Sequence, residues 1–218
     1  MTLFSLCFTN ITAQINFKVG TVGAYVQAKE NKSILNSYSE NSPKHTNGYG
    51  SLDYIIGLQG GLRYTIGAIS LESTYQTMKG SVMASANYGT TEFIERSLYY
   101  TFSRIDLGFE HKIMEVGYGA SIGYSFLNIQ FNTNLIDTKL NILDDYVLNS
   151  QFHISFHLAK MSILEVVLKP YVEIAWDDYN MINLDKSINK NSAIVRSELL
   201  DRIHMVGLSL AFYNGGQN

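Results

Sequence analysis

The stretch Met114-Glu-Val-Gly-Tyr-Gly-Ala-Ser-Ile-Gly-Tyr-Ser-Phe126 alternates without a break. Met114, Val116, Tyr118, Ala120, Ile122, Tyr124 and Phe126 fall on one face, and Glu115, Gly117, Gly119, Ser121, Gly123 and Ser125 on the other. Period two over this length marks a β-strand whose faces meet unlike surroundings. Working outward, Phe152, Ile154, Phe156 and Leu158 alternate with Gln151, His153, Ser155, His157 and Ala159. Leu164, Val166, Leu168, Val172, Ile174 and Trp176 then oppose Glu165, Lys169, Tyr171 and Glu173. Ile56, Leu58, Leu62 and Tyr64 oppose Gln59 and Arg63, and Val206, Leu208, Leu210 and Phe212 oppose Gly207, Ser209 and Ala211.

Three further segments bring the expected strands to eight. Residues 68–79 put Ile69, Leu71 and Tyr75 opposite Ser70, Glu72, Thr74 and Gln76. Residues 15–28 and 92–110 alternate too, but their polarity changes parity near Gly20 and Ser103. A β-bulge at each point is the expected cause. Tight turns are expected at Ile66-Gly67, His111-Lys112 and residues 160–162, whereas 29–52, 81–91, 132–145 and 177–195 are long and polar. The turns place Tyr64 opposite Ile69, and Phe109 opposite Met114, so apolar pairs with apolar. Pro170 lacks an N–H and needs a bulge or a missing ladder bond.

Composition agrees with long curved strands: 15 Tyr, 11 Phe and 17 Gly stand against 2 Pro in 218 residues. A net charge of -3 with no basic stripe argues against nucleic acid. No apolar run reaches the roughly 18 to 20 residues of a membrane-spanning helix, but a closed barrel can still cross. Residues 1–13 read as a secretory signal, with a short apolar core and Ile11-Thr12-Ala13 at its end, although no Lys or Arg precedes the core. Cleavage would leave Gln14 first, with residues 14–218 as the barrel domain and no thiol, since the sole cysteine is Cys7. Cys7 as a lipidation site fits poorly because Leu6 is large. A first strand is the alternative reading of this segment.

The expected fold is all-β, an eight-stranded antiparallel up-and-down transmembrane barrel of the outer membrane. A soluble barrel would turn its apolar face inward; a membrane barrel turns it to lipid. The polar face mixes charges with Gly and Ser, as a crowded lumen needs, and the apolar face carries Tyr, Phe and Trp, as lipid-facing girdles do. Alternating short and long links imply periplasmic turns and termini with extracellular loops.

The segment Gly57-Leu-Gln-Gly-Gly-Leu-Arg-Tyr-Thr-Ile-Gly-Ala-Ile-Ser-Leu-Glu-Ser-Thr-Tyr-Gln-Thr-Met-Lys-Gly80, with the Ala13-Gln14 signal end, resembles the small PorT-like outer-membrane barrels of Bacteroidota. The resemblance implies location and fold. It carries no catalytic residues.

Candidate chemistry is sparse, and no cofactor is expected. His153-Ile154-Ser155 has the His-x-Ser spacing of a lipid hydrolase, with Glu165 available to orient the imidazole. Parity puts the pair in the lumen, which favours polar filling over catalysis. Arg63, Glu72, Arg104, Asp106, Glu115, His157, Glu165, Lys169 and Glu173 share the inner face and are expected to form an ion-pair plug, with Arg63 and Glu72 diagonal neighbours. Asp144, Asp145, Asp177 and Asp178 should meet at one rim, either as a solvated acidic edge or as a Ca²⁺ site. The favoured function is non-enzymatic, in envelope structure or in binding another envelope protein through the loops. A small outer-membrane lipid hydrolase is the alternative. Outer-membrane lipid and lipopolysaccharide are the expected surroundings.

Overall fold

The computed structural model describes residues 13–41, 45–88, 92–161, 163–189 and 199–214. The expected signal segment 1–13 lies almost wholly outside them. In chain order the elements are β1 (Ala13–Gln27), α1 (Lys29–Asn41), β2 (His45–Asn47), β3 (Tyr54–Ile66), β4 (Ile69–Tyr88), β5 (Glu92–Ile113) and β6 (Val116–Thr133). They continue with β7 (Ile136–Lys160), β8 (Leu164–Ala175), β9 (Tyr179–Asn180), α2 (Ile182–Ile188), β10 (Leu200–Asp201) and β11 (His204–Asn214). Strands β1, β3, β4, β5, β6, β7, β8 and β11 pair antiparallel around a ring that β1 closes against β11. This is the expected eight-stranded barrel. A ring leaves no open edge, so every backbone polar group of the wall can be satisfied inside a membrane.

The apolar face points outward. Phe17, Leu58, Leu71, Leu107, Ile122, Phe152, Val172 and Leu208 are all exposed, Leu58 at 64%. On β1 this face runs from Ile15 to Tyr25, close to the roughly 9 to 11 residues a tilted transmembrane strand needs. Aromatic side chains crowd the end away from the short turns. Tyr25 and Tyr54 stack with centroids 5.4 Å apart, Tyr146 packs on Tyr124 and Phe126, and the exposed Trp176 directly follows β8. That is a membrane-interface girdle. Among the described residues no helix is long and apolar enough to cross a membrane.

The two expected bulges are absent. β1 pairs continuously with β3 and β11, and β5 pairs continuously with β4 and β6. The change of parity is one of polarity, not of backbone. Along β5 the inward residues run Glu110, Asp106 and Arg104, then Phe102, Tyr100 and Leu98; all six are buried. The outward residues run Phe109, Leu107 and Ile105, then Ser103, Thr101 and Ser97. β1 repeats the inward half of this change, with Asn16 and Lys18 giving way to Val22, Ala24 and Val26, while its outward face stays apolar up to Tyr25. Beside lipid the barrel is polar inside and apolar outside. Beyond the girdle the inside is apolar and the outside mainly polar, with Met83, Phe93, Leu135 and Leu140 exposed among polar neighbours.

The wall is uneven for the same reason. β4 to β7 span 20, 22, 18 and 25 residues, while β1, β3, β8 and β11 span 15, 13, 12 and 11. Residues 81–88 and most of 132–145, expected as loops, are strand extensions. Their outward Ser81, Asn87, Asn134 and Asn141 suit water but hide the strand pattern. The turns also sit further along than expected. Ile66 pairs with Ile69 around Gly67-Ala68, and Ile113 with Val116 around Met114-Glu115. The turns move by one and three residues, so the pairings shift by two and six, and the faces survive. Gly67 has φ +59, a conformation that glycine accepts without steric cost. At Pro170 the β7–β8 ladder stops at His153↔Tyr171 and resumes at Phe156↔Leu168, while Pro170 keeps its place opposite Leu208 on β11.

Candidate functional site: the filled lumen and its roof

The lumen is built from side chains that the wall points inward, and its lower half is ionic. Lys18, Arg63, Arg104, Lys112 and Lys169 meet Glu72, Asp106, Glu110, Glu165 and Glu173, five of each sign. All but Lys112 are buried. Equal numbers leave no net charge to desolvate, which a membrane interior demands.

Three linked clusters make up the network. Glu72 receives Lys18 Nζ at 3.2 Å, Lys169 Nζ at 2.8 Å and the Tyr213 hydroxyl at 2.8 Å. Lys169 Nζ also reaches Glu110 at 2.8 Å, and Glu110 meets His153 Nε2 at 3.1 Å and His157 Nε2 at 3.6 Å. Glu165 takes Arg63, Lys112 Nζ at 3.3 Å and His157 Nδ1 at 2.6 Å, while the Arg63 guanidinium lies 3.6 Å over the Tyr213 ring. Arg104, 1% exposed, closes the upper edge of the ionic zone. It donates to Glu173 at 2.9 Å, Ser121 at 3.0 Å and Gln151 at 3.1 Å, with Asp106 3.4 Å from Nε. Glycines make the room. A Cβ on Gly119 would lie 2.7 Å from His153 Nε2, and one on Gly123 2.7 Å from Asp106 Cβ.

Above Arg104 the lumen becomes an apolar core, which the two helices roof. From α1, Ile34, Leu35 and Tyr38 pack with Leu184 and Ile188 of α2 onto Leu98, Tyr100, Phe102, Leu127 and Val147 of the wall. Polar pins lock the roof. The Tyr100 hydroxyl donates to Asn31 Oδ1 at 2.9 Å, and Arg96 Nη1 to the Tyr38 hydroxyl at 2.6 Å. Asp201 accepts the Asn31 amide at 2.8 Å, capping α1 from a distant part of the chain. Burial pushes the Asp201 carboxyl up from its ordinary range, against the pull of the Asn31, Glu30 and Lys29 amides. What space remains in the ionic zone is small: about 30 Å³ beside Glu72 and Lys169, and about 20 Å³ beside Arg63 and Glu165. Such volumes hold about one or two waters each.

The structure places the candidate residues unevenly. Arg63, Glu72, Arg104, Asp106, His157, Glu165, Lys169 and Glu173 all lie buried in the network. Glu115 does not. It is exposed in the Met114-Glu115 turn, because the hairpin closes later than expected. Arg63 stands directly opposite Glu72 rather than diagonal to it, yet its ion pair is with Glu165 across the lumen. Lys18, Glu110 and Lys112 join the network without a clear signal in the sequence: the polarity of β1 changes just past Lys18, and Glu110 borders an expected turn in which Lys112 lies.

The hydrolase constellation is not assembled. His153 meets Glu110, whereas Glu165 is held by Arg63, Lys112 and His157. Ser155 Oγ is buried with no hydrogen-bond partner among the described residues, so no base activates it. The four aspartates do not converge either. Asp145 accepts the Asn180 amide at 2.8 Å, Asp178 is clamped by Arg202 at 2.8 Å, and Asp144 is exposed beside β6. Among the described residues no group of three or more His, Cys, Asp or Glu side chains could hold a metal ion.

By sequence, no family profile and no curated protein matches the chain. By structure, it is similar to Ail of Yersinia pestis, solved with the heparin analogue sucrose octasulfate, at TM-score 0.53 and 11% identity over 94% of this chain and 99% of that one. The fold is that of a small outer-membrane β-barrel. Neisserial surface protein A aligns at TM-score 0.43 and 8% identity, over 94% of this chain and 99% of that one. The N-terminal barrel domain of Pseudomonas aeruginosa OprF aligns at TM-score 0.43 and 11% identity, over 93% and 99%.

Proposed function

We propose that this chain is a non-conducting outer-membrane barrel of non-enzymatic role, which fixes a rigid platform at the membrane surface for envelope structure or for a protein partner. The observation that carries this reading is the double closure of the lumen, by a charge-balanced network below Arg104 and a helix-roofed apolar core above it. An eight-stranded barrel has space for side chains and little else, and here that space is used. The uneven wall, with β4 to β7 rising past the girdle, supports presentation of a surface rather than passage of a solute. The remainder of the proposal places the short turns and both ends of the barrel in the periplasm, with residues 1–13 as an export signal. The PorT-like barrels of Bacteroidota are the group proposed for it. Planar bilayers test the closure. Reconstituted protein is expected to give no steady conductance at moderate voltage, and a stable open channel would refute the reading.

A further inference from the structure

On the low side of the wall a cavity of about 390 Å³ opens at the rim, lined in part by Tyr25, Lys29, Lys32, Asp53, Arg202 and His204. It is many times larger than the voids in the lumen, and its position is telling. Tyr25 belongs to the aromatic girdle and stacks on Tyr54, so the mouth lies at the level of lipid headgroups. β1, β3, β8 and β11 stop at this height, so no wall stands between the cavity and the surrounding leaflet. Four basic side chains line it against a single carboxylate.

These groups differ in how far they are committed elsewhere. Arg202 is held by Asp178 through two hydrogen bonds, at 2.8 and 3.2 Å. Asp53 receives the Ser51 hydroxyl at 2.8 Å, and His204 Nδ1 accepts the Ala175 amide at 3.3 Å. The amide of Asn31 is taken by Asp201, so the end of α1 is not what attracts a ligand. Lys29 and Lys32 are exposed on the first turn of α1. Their stems can lie along the cavity while their ammonium groups reach its mouth.

We propose that this cavity holds the phosphorylated headgroup of an anionic lipid from the surrounding leaflet, with Lys29 and Lys32 on the phosphate. The volume admits a phosphate with a sugar or glycerol unit. The acyl chains would leave past Tyr25 and Tyr54 along the apolar outer face of β1 and β3. The site rests on the reading of this chain as a membrane barrel and adds a specific ligand chemistry to it.

The test uses full-length protein in phosphatidylcholine nanodiscs doped with lipid A, and counts retained lipid A by native mass spectrometry. Lysines beside an anionic surface are each worth about fivefold in binding, so Lys29→Gln with Lys32→Gln should weaken retention about thirtyfold. Lys29→Arg with Lys32→Arg should retain it. Lys139→Gln with Lys186→Gln, the same charge change on the high wall and on the roof helix α2, should leave it unaltered. Equal retention by the Lys29/Lys32 Gln variant and the parent would overturn the site. So would displacement by millimolar inorganic phosphate, which would make it a soluble-anion site. Each sample is also run unheated and boiled on SDS gels. Weak lipid binding with a fast unheated band rejects this site alone, whereas loss of that band in the parent rejects the barrel.

Discussion

Removing Arg104 should be among the most damaging single changes in the lumen, and the structure gives the reason and the size. Arg104 is the cation that faces Glu173, and it lies 3.4 Å from Asp106. In Arg104→Leu the chain volume is largely kept, but two buried carboxylates lose their counter-charge. Breaking a buried pair in this way costs on the order of 3 to 5 kcal/mol. Ser125 and Asn149 still donate to Glu173, at 3.0 and 2.9 Å, so the figure should lie toward the lower end. Adding Glu173→Gln removes one orphaned charge and keeps an acceptor for those donors. The double variant should therefore recover about 2 kcal/mol relative to the sum of the singles, the coupling expected of directly bonded partners. Urea unfolding in detergent, followed by heat-modifiable gel mobility and by Trp176 fluorescence, reads both quantities. Strict additivity would refute the argument, as would a single variant within about 0.5 kcal/mol of the parent.

Partner choice in the other clusters can be tested similarly. Arg63→Ala should couple to Glu165→Gln and be additive with Glu72→Gln, because Glu72 is held by Lys18 and Lys169 instead; double-mutant cycles on the same unfolding assay decide it. Asp201→Ala should uncap α1 at a cost of about 1 kcal/mol. Asp201→Asn should keep most of that stability, since it retains an acceptor and buries no charge. Hydrogen exchange at the amides of α1 measures both, and equal protection in the Ala variant and the parent would dismiss the cap.

Strand number, ring closure and the outward apolar face were legible in the sequence, because sliding a two-residue turn along the chain shifts every pairing by an even number. Misplacing the second hairpin by three residues moved Phe109 from Met114 to Ala120 and still kept it on the lipid side. The inversion of polarity along the axis was not legible as such. Parity arguments assume that one face keeps one environment, and here each face crosses from lipid height to water. Val22 and Leu98 then imitate bulges, and the outward Ser81 and Asn87 imitate loop. α1 was hidden because its cap, Asp201, lies far away in sequence. The spacing of Ile34, Leu35 and Tyr38 was its one local signal. Of the lumen, the inward charges could be chosen but not paired. Arg63 meets Glu165 through the hollow of the ring, which neighbouring strands alone do not specify.

The inversion is the central claim, and β5 tests it most directly. In a background lacking Cys7, single cysteines from residue 97 to residue 109 carry spin labels, and collision rates are read with oxygen, which favours lipid, and with a water-soluble nickel chelate. Odd positions should divide near Ser103: Ser97, Tyr99 and Thr101 open to the chelate, Ile105, Leu107 and Phe109 open to oxygen. Even positions from Leu98 to Gly108 should be shielded from both. Chelate access at residues 104 to 108 on the even face, or a swap of the accessible parity at Ser103, would contradict the account.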